Sequence, residues 1–184
     1  MILIVDCGSS KIVDIQLCVD EFMDYKTITL TEISEGDFDN VKGVVLSGAN
    51  RLITENNLDS YLINVKMILK KGIPVLGISF GHQIIGLVNG AFASRMKEDR
   101  DWQVIESFEK NPLWEKLPNE IEMIEDHCES ISVPSGFKLL ASSDTCVNEA
   151  MQHESKLIFG VQFHPEVSGN HGRVIFENFI KLCS

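Results

Sequence analysis

The sequence predicts an α/β fold: a mostly parallel, doubly wound sheet flanked by helices, with a small antiparallel side sheet. Three observations carry this reading. Short continuous apolar runs alternate with amphipathic stretches through the first half, as strands buried on both faces alternate with crossover helices. One run, Ile73-Pro74-Val75-Leu76, ends in the glycine-flanked turn Gly77-Ile78-Ser79-Phe80-Gly81 and leads into a helix-like segment. The second half changes to short candidate strands separated by turn residues, a spacing that predicts antiparallel hairpins packed beside the parallel core.

Ile2–Val5 reads as the first buried strand, closed by the turn Asp6-Cys7-Gly8-Ser9-Ser10. Ile12–Met23 carries apolar residues near helical spacing. Thr27–Leu30 and Val41–Leu46 read as the next strands, the latter ending at Ser47-Gly48-Ala49-Asn50. Leu58–Lys70 is amphipathic and helical in pattern, with Gly72 to close it. Strand Pro74–Gly77 and the helix beginning near Ile84 follow. The later strands are Val104–Phe108, Ile121–Ile124, Phe137–Ala141, Asn148–Gln152 and Ile158–Gln162, and a helix near Arg173–Cys183 ends the order.

Composition sets bounds on function. At 184 residues the chain is expected to form a single domain, 1–184, with a substantial core. The net charge of −11 argues against a nucleic-acid groove, which needs clustered Lys and Arg. The five cysteines are odd in number and form no CxxC pair, so neither a zinc site nor a disulfide framework is expected. No run approaches a membrane span, and the N-terminus lacks the basic start of a signal peptide. The expectation is a cytoplasmic protein with no membrane contact, no metal and no cofactor.

Two segments carry chemistry. A strand, a strained glycine-flanked turn and a helix make a nucleophile elbow, which exposes its central residue, here Ser79, and offers helix N-terminal amides to a developing negative charge. The second is Gly160-Val161-Gln162-Phe163-His164-Pro165-Glu166. A carboxylate two residues from an imidazole can fix its tautomer and stabilise its protonated form. Taken alone, His-Pro-Glu is as readily a solvated strand end. Paired with an elbow upstream, it is the base-and-orienter half of a nucleophilic triad.

Gly77, Ser79 and Gly81 meet the α/β-hydrolase pattern Gly-x-Ser-x-Gly literally, but that family orders its triad Ser, acid, His. Here His164 precedes Glu166. The chain instead resembles the class I glutamine amidotransferases, whose elbow is Gly-Ile-Cys-x-Gly-His-Gln and whose His-Pro-Glu lies near the C-terminus. Leu46-Ser47-Gly48-Ala49-Asn50 is similar to the family's Leu-Ser-Gly-Gly-Pro oxyanion loop, and Glu125-Asp126-His127-Cys128-Glu129-Ser130 sits where the family shows Ser-His-x-Asp. Pro134–Phe137 and Ala141–Met151 resemble the stand-alone amidotransferase subunits of GMP synthetase. The likeness covers essentially the whole chain.

The resemblance implies a flavodoxin-like core and glutamine hydrolysis, with ammonia passed to a separate ATP-dependent synthetase chain, as in purine biosynthesis. It assigns Ser79, His164 and Glu166 to the catalytic triad, the amides of Gly48 and Phe80 to the oxyanion hole, and Gln83 and His127 to substrate binding. The departure is Ser79, which stands where the family has cysteine. A hydroxyl is far less acidic than a thiol, and the change implies a barrier higher by roughly 4–6 kcal/mol. Three readings of Ser79 stay open: an engineered substitution, a native degenerate homologue that binds without turnover, and a working serine hydrolase.

Overall fold

The structure, a computed structural model, describes residues 1–183. In the first half, strands β1 (Ile2–Asp6), β2 (Tyr25–Thr29), β3 (Gly43–Leu46) and β4 (Val75–Ile78) alternate with helices α1 (Ile12–Asp20), α2 (Asp59–Leu69) and α3 (Phe80–Val88). The second half contains β5 (Ala93–Asp99), β6 (Trp102–Ser107), β7 (Glu120–Ile124), β8 (His127–Ile131), β9 (Phe137–Ser142), β10 (Ala150–His153), β11 (Ile158–Val161) and the closing helix α4 (Gly169–Leu182). Nine strands form one mixed sheet in the order β2-β1-β3-β4-β11-β10-β9-β6-β7, and β5 pairs with β8 in a separate two-stranded sheet.

Alternation along each strand divides the core between the two faces of the sheet. Ile2 and Ile4 of β1 point to one side, where they join Ile15 and Val19 of α1 and Phe176 and Phe179 of α4. Leu3 and Val5 point to the other, where they join Val65 and Ile68 of α2 and Ile84 and Ile85 of α3. All of these side chains are fully buried.

The fold class is the one the sequence predicts, with two differences in detail. The later strands do not stand beside the parallel core; they continue it. Ile158–Val161 pairs parallel to β4, with Phe159 opposite Leu76, and so sits mid-sheet. Its four residues are all buried, which is the mark of a central strand rather than a hairpin edge. The antiparallel strands β10, β9, β6 and β7 then extend the same sheet outward. The small side sheet is built instead from Ala93–Asp99 and His127–Ile131. Both are rich in charged and polar residues and carry no apolar run, so neither gave a strand signal.

The junction of β4 and α3 is held by close backbone approach. A Cβ on Gly81 would lie 2.5 Å from the carbonyl oxygen of Leu46, and one on Gly77 would lie 2.6 Å from the carbonyl of Gly81. Both obstacles are backbone, which cannot rotate away. Gly81→Ala is therefore expected to destabilise the fold by about 2–3 kcal/mol in urea unfolding, whereas Gly90→Ala, which meets no neighbouring atom within 4 Å, carries only the penalty of its positive φ.

Candidate active site

Ser79 is the last residue before α3. Its φ of 51° and ψ of −107° lie in a region that side chains other than glycine rarely occupy. Two hydrogen bonds hold it there. Its N–H donates to the carbonyl of Val161 at 2.8 Å, and its carbonyl accepts from Gln83 N–H at 3.0 Å. The strain turns the hydroxymethyl group away from the helix axis and into a cavity.

His164 reaches the same cavity from the end of β11. Its Nδ1–H donates to Oε1 of Glu166 at 2.8 Å, which leaves Nε2 with the lone pair. Both side chains are buried, and neither is a solvated strand end. The backbone is clamped as well: His164 N–H donates to the carbonyl of Ile124 at 2.9 Å, and Ser168 Oγ donates to the carbonyl of His164 at 2.6 Å. The same Ser168 oxygen accepts from Ile124 N–H at 2.9 Å. The imidazole is thus fixed to the end of β7 by three bonds that do not involve its ring.

Gly48 closes the triangle. A Cβ there would lie 3.3 Å from Cε1 of His164 and 3.6 Å from Cβ of Ser79. The elbow, the imidazole and the loop after β3 therefore converge on one point. The amides of Gly48 and Phe80 make no hydrogen bond among the described residues, as donors kept for a ligand oxygen would not. The cavity has a volume of about 390 Å³, and Ser79, Phe80, Gln83, His127 and His164 line it.

The other predicted residues are placed less simply. Gln83 is buried, and its amide nitrogen donates inward, to the carbonyl of Glu129 at 3.0 Å and to Oε1 of Gln162 at 3.1 Å. His127 also touches the cavity, but both ring nitrogens face the protein. Nδ1 donates to the carbonyl of Glu129 at 2.9 Å, and Nε2 lies 3.2 Å from Oε2 of Glu125.

Comparison with known proteins shows the family. The family model for glutamine amidotransferase class-I matches residues 3–182. The chain belongs to the class I glutamine amidotransferases. It is 39% identical over 145 residues to a subunit of the glutamine-hydrolysing GMP synthase of Pyrococcus furiosus, spanning 77% of this chain and 76% of that one. It is 37% identical over 147 residues to the corresponding subunit of Methanocaldococcus jannaschii, spanning 78% and 74%. Among solved structures, a putative GMP synthase subunit from Thermoplasma acidophilum superposes with a TM-score of 0.90 at 34% identity, covering 99% of this chain and 92% of the other.

Within this amidotransferase the residue that sequence reasoning missed is Glu129. It is 2% exposed, and its carboxylate accepts from Ile53 N–H at 2.5 Å, Thr54 N–H at 3.2 Å and the Thr54 hydroxyl. A charge placed there by β8 holds the loop that lines the far side of the cavity. Its only sequence signal was its position in the Ser-His-x-Asp-like segment. Glu129→Ala leaves three donors without an acceptor. It is expected to cost about 1–3 kcal/mol and to speed hydrogen exchange at the Ile53 and Thr54 amides while those of β1, β3 and β4 stay protected.

His82 is structural. It lies fully buried beneath Gly160, where a Cβ would come within 2.5 Å of its Nδ1. Burial, reinforced by the nearby His127, depresses its pKa to about 3, so the folded chain keeps it neutral. The unfolded chain protonates it near 6.5. His82 therefore contributes stability that is complete above pH 6.5 and is lost as the pH falls towards 3. At pH 5 the loss is about 2 kcal/mol. Urea midpoints of the parent and of His82→Gln, measured at pH 7.5 and 5, should diverge by that amount at the lower pH.

Proposed function

We propose that this chain is the glutaminase subunit of a GMP synthetase-type amidotransferase. In this reading it binds glutamine in the cavity and passes ammonia to a separate ATP-dependent synthetase chain. The observation that carries the reading is the convergence of the strained residue 79, the His164–Glu166 pair and Gly48 on one point. The names of the relatives support the choice of partner and product. The net charge of −11 argues against a nucleic-acid partner, and among the described residues no helix is long and apolar enough to cross a membrane. Residues 1–184 act as one amidotransferase domain of the cytoplasm that uses no cofactor for this step.

The roles follow from position. The Ser79 oxygen attacks the side-chain carboxamide carbon of glutamine while Nε2 of His164 removes its proton. The carboxamide oxygen becomes an oxyanion held by the amides of Gly48 and Phe80. The tetrahedral intermediate collapses as His164 returns the proton to the departing ammonia, leaving a glutamyl ester on residue 79. Water, deprotonated by His164, attacks the ester carbonyl, and His164 returns that proton to the Ser79 oxygen as the C–O bond breaks and glutamate leaves. Glu166 holds the tautomer that makes Nε2 the base and stabilises the imidazolium. His127 and Gln83 shape the wall against which glutamine lies, acting through the packing of Glu129 rather than by offering free donors.

Serine sets the rate. A thiol at the N-terminus of α3 beside His164 would be ionised near neutral pH, whereas the hydroxyl has to lose its proton as it attacks. Turnover by the chain as written is expected to be negligible. Ser79→Cys should raise ammonia release from glutamine by at least about 10³-fold, measured with and without the partner synthetase, and His164→Ala in that background should abolish the gain. Failure of the thiol to restore turnover, with glutamine still bound, would identify a binding or regulatory homologue. Labelling of the parent by a fluorophosphonate would instead identify a serine hydrolase.

A further inference from the structure

Behind the cavity wall, a second constellation takes no part in the chemistry described above. Glu125 directly follows β7, His127 begins β8, and Cys146 and Glu149 lie on the loop from β9 to β10. A ring nitrogen of His127, Sγ of Cys146 and a carboxylate oxygen of Glu149 all lie within 4.8 Å of one another, and all three residues are buried. We propose that these three side chains, with Glu125 as a fourth, form a structural site for a divalent transition-metal ion of the zinc type.

The hydrogen bonds around the cluster support this. Both carboxylate oxygens of Glu125, Oε2 of Glu149 and Nε2 of His127 are buried without a hydrogen-bond partner. Two carboxyl groups facing each other with no donor need positive charge between them, as shared protons or as a cation. A proton on Glu125 could engage the His127 lone pair 3.2 Å away, but it leaves the Cys146 sulfur without a role; a metal uses nitrogen, sulfur and carboxylate donors together. The outer contacts are those that orient ligands. His127 spends Nδ1–H on the carbonyl of Glu129, directing the Nε2 lone pair at the cluster. Ser143 Oγ donates to Oε1 of Glu149 at 2.6 Å and so presents Oε2.

The donor set of one nitrogen, one sulfur and two carboxylates suits a closed tetrahedral zinc site. Such a site needs donors roughly 3.3–3.8 Å apart, and the three donors already lie within 4.8 Å of one another. The sequence hides the pattern because its two halves, Glu125-x-His127 and Cys146-x-x-Glu149, lie on connections about 20 residues apart and contain no CxxC. Closing this site would tie the β7–β8 connection and the start of β8, which carries His127 and Glu129 to the cavity, to the β9–β10 loop.

The test uses the full chain purified without a metal-affinity tag. Bound metal is measured by elemental mass spectrometry. Chelator-treated protein is then titrated with Zn2+ alone and with Co2+ alone. The expected results are one equivalent of tightly bound metal, a thiolate-to-cobalt charge-transfer band in the near ultraviolet and the intense visible bands of tetrahedral Co2+. The melting temperature should rise by about 5 °C or more with Zn2+ roughly 100-fold above its Kd. Cys146→Ser should remove the charge-transfer band and Glu149→Gln should weaken binding at least tenfold, while Cys128→Ser, at the half-buried thiol facing the cavity, should change neither. Parent protein that binds no stoichiometric Zn2+ and gives no cobalt band overturns the proposal in favour of shared protons, and does so whether or not the variants fold. A band that survives Cys146→Ser also overturns it, by showing that another thiol binds the metal.

Discussion

The backbone of one residue governs the arrangement of the rest. Residue 79 sits at positive φ between the central strand β4 and helix α3, a conformation that costs roughly 1–3 kcal/mol for a side chain other than glycine. Packing forces that conformation. Gly77 and Gly81 let the first turn of α3 lie directly on β3, close enough that no Cβ would fit. A relaxed turn would lift the helix off the sheet and expose Ile84 and Ile85, both fully buried. The sheet thus stores the strain, and the strain aims the side chain.

A strained residue aimed at nothing would be only a defect, so the second half of the chain matters. Because β11 pairs parallel to β4, with Val161 opposite Ile78, the residues following both strands emerge at the same end of the sheet. That is the general position of sites in open α/β sheets. Ser79 N–H bonds to Val161, so the two segments are registered by a backbone hydrogen bond one strand-end away from the chemistry. His164 is then fastened to the end of β7 through Ile124 and Ser168, and this draws the antiparallel extension of the sheet into the same construction. The imidazole is positioned by parts of the chain about 40 residues apart, and its ring is left free to bond only Glu166.

Much of this was legible in the amino-acid order where local physics dominates. The elbow could be read because glycines flanking a polar residue between a strand and a helix have few other uses. His164 and Glu166 could be read because their spacing allows a hydrogen-bonded pair and a nucleophile elbow lies upstream of them. Glu129 was not legible as a loop anchor, since its partners Ile53 and Thr54 lie about 75 residues away and lend only one hydroxyl and two backbone N–H groups. Gln83 and His127, assigned to substrate binding, line the cavity, but their polar atoms turn inward to Gln162, Glu129 and Glu125, which no local pattern links to them. The strands Ala93–Asp99 and His127–Ile131 pair through backbone groups while presenting charged side chains, so hydrophobic periodicity was silent there. Asp99-Arg100-Asp101 reads as a solvated turn, yet Asp99 is buried and accepts from Thr145 and Gln103.

The remaining cysteines bear on how the serine at the elbow is to be understood. Nucleophilic sulfur needs an accessible thiolate, and that requires a helix N-terminus or a neighbouring cation. Burial pushes the Cys7 thiol up to about 12 and that of Cys183 to about 12, and burial with the charge of Glu166 pushes Cys18 to about 11. Cys146 is raised further by burial and by the carboxylates around it. Cys128 does face the cavity, but it is carried by β8 and has no helix terminus behind it. Among these groups none reproduces what the elbow supplies at residue 79, namely unbonded amides, an exposed direction and an oriented imidazole. On the proposed mechanism the oxygen at that position is therefore not compensated elsewhere in the chain. The surroundings of residue 79, down to the tautomer imposed by Glu166, keep an oriented base and free amides around an oxygen that, on that mechanism, is the element setting the rate.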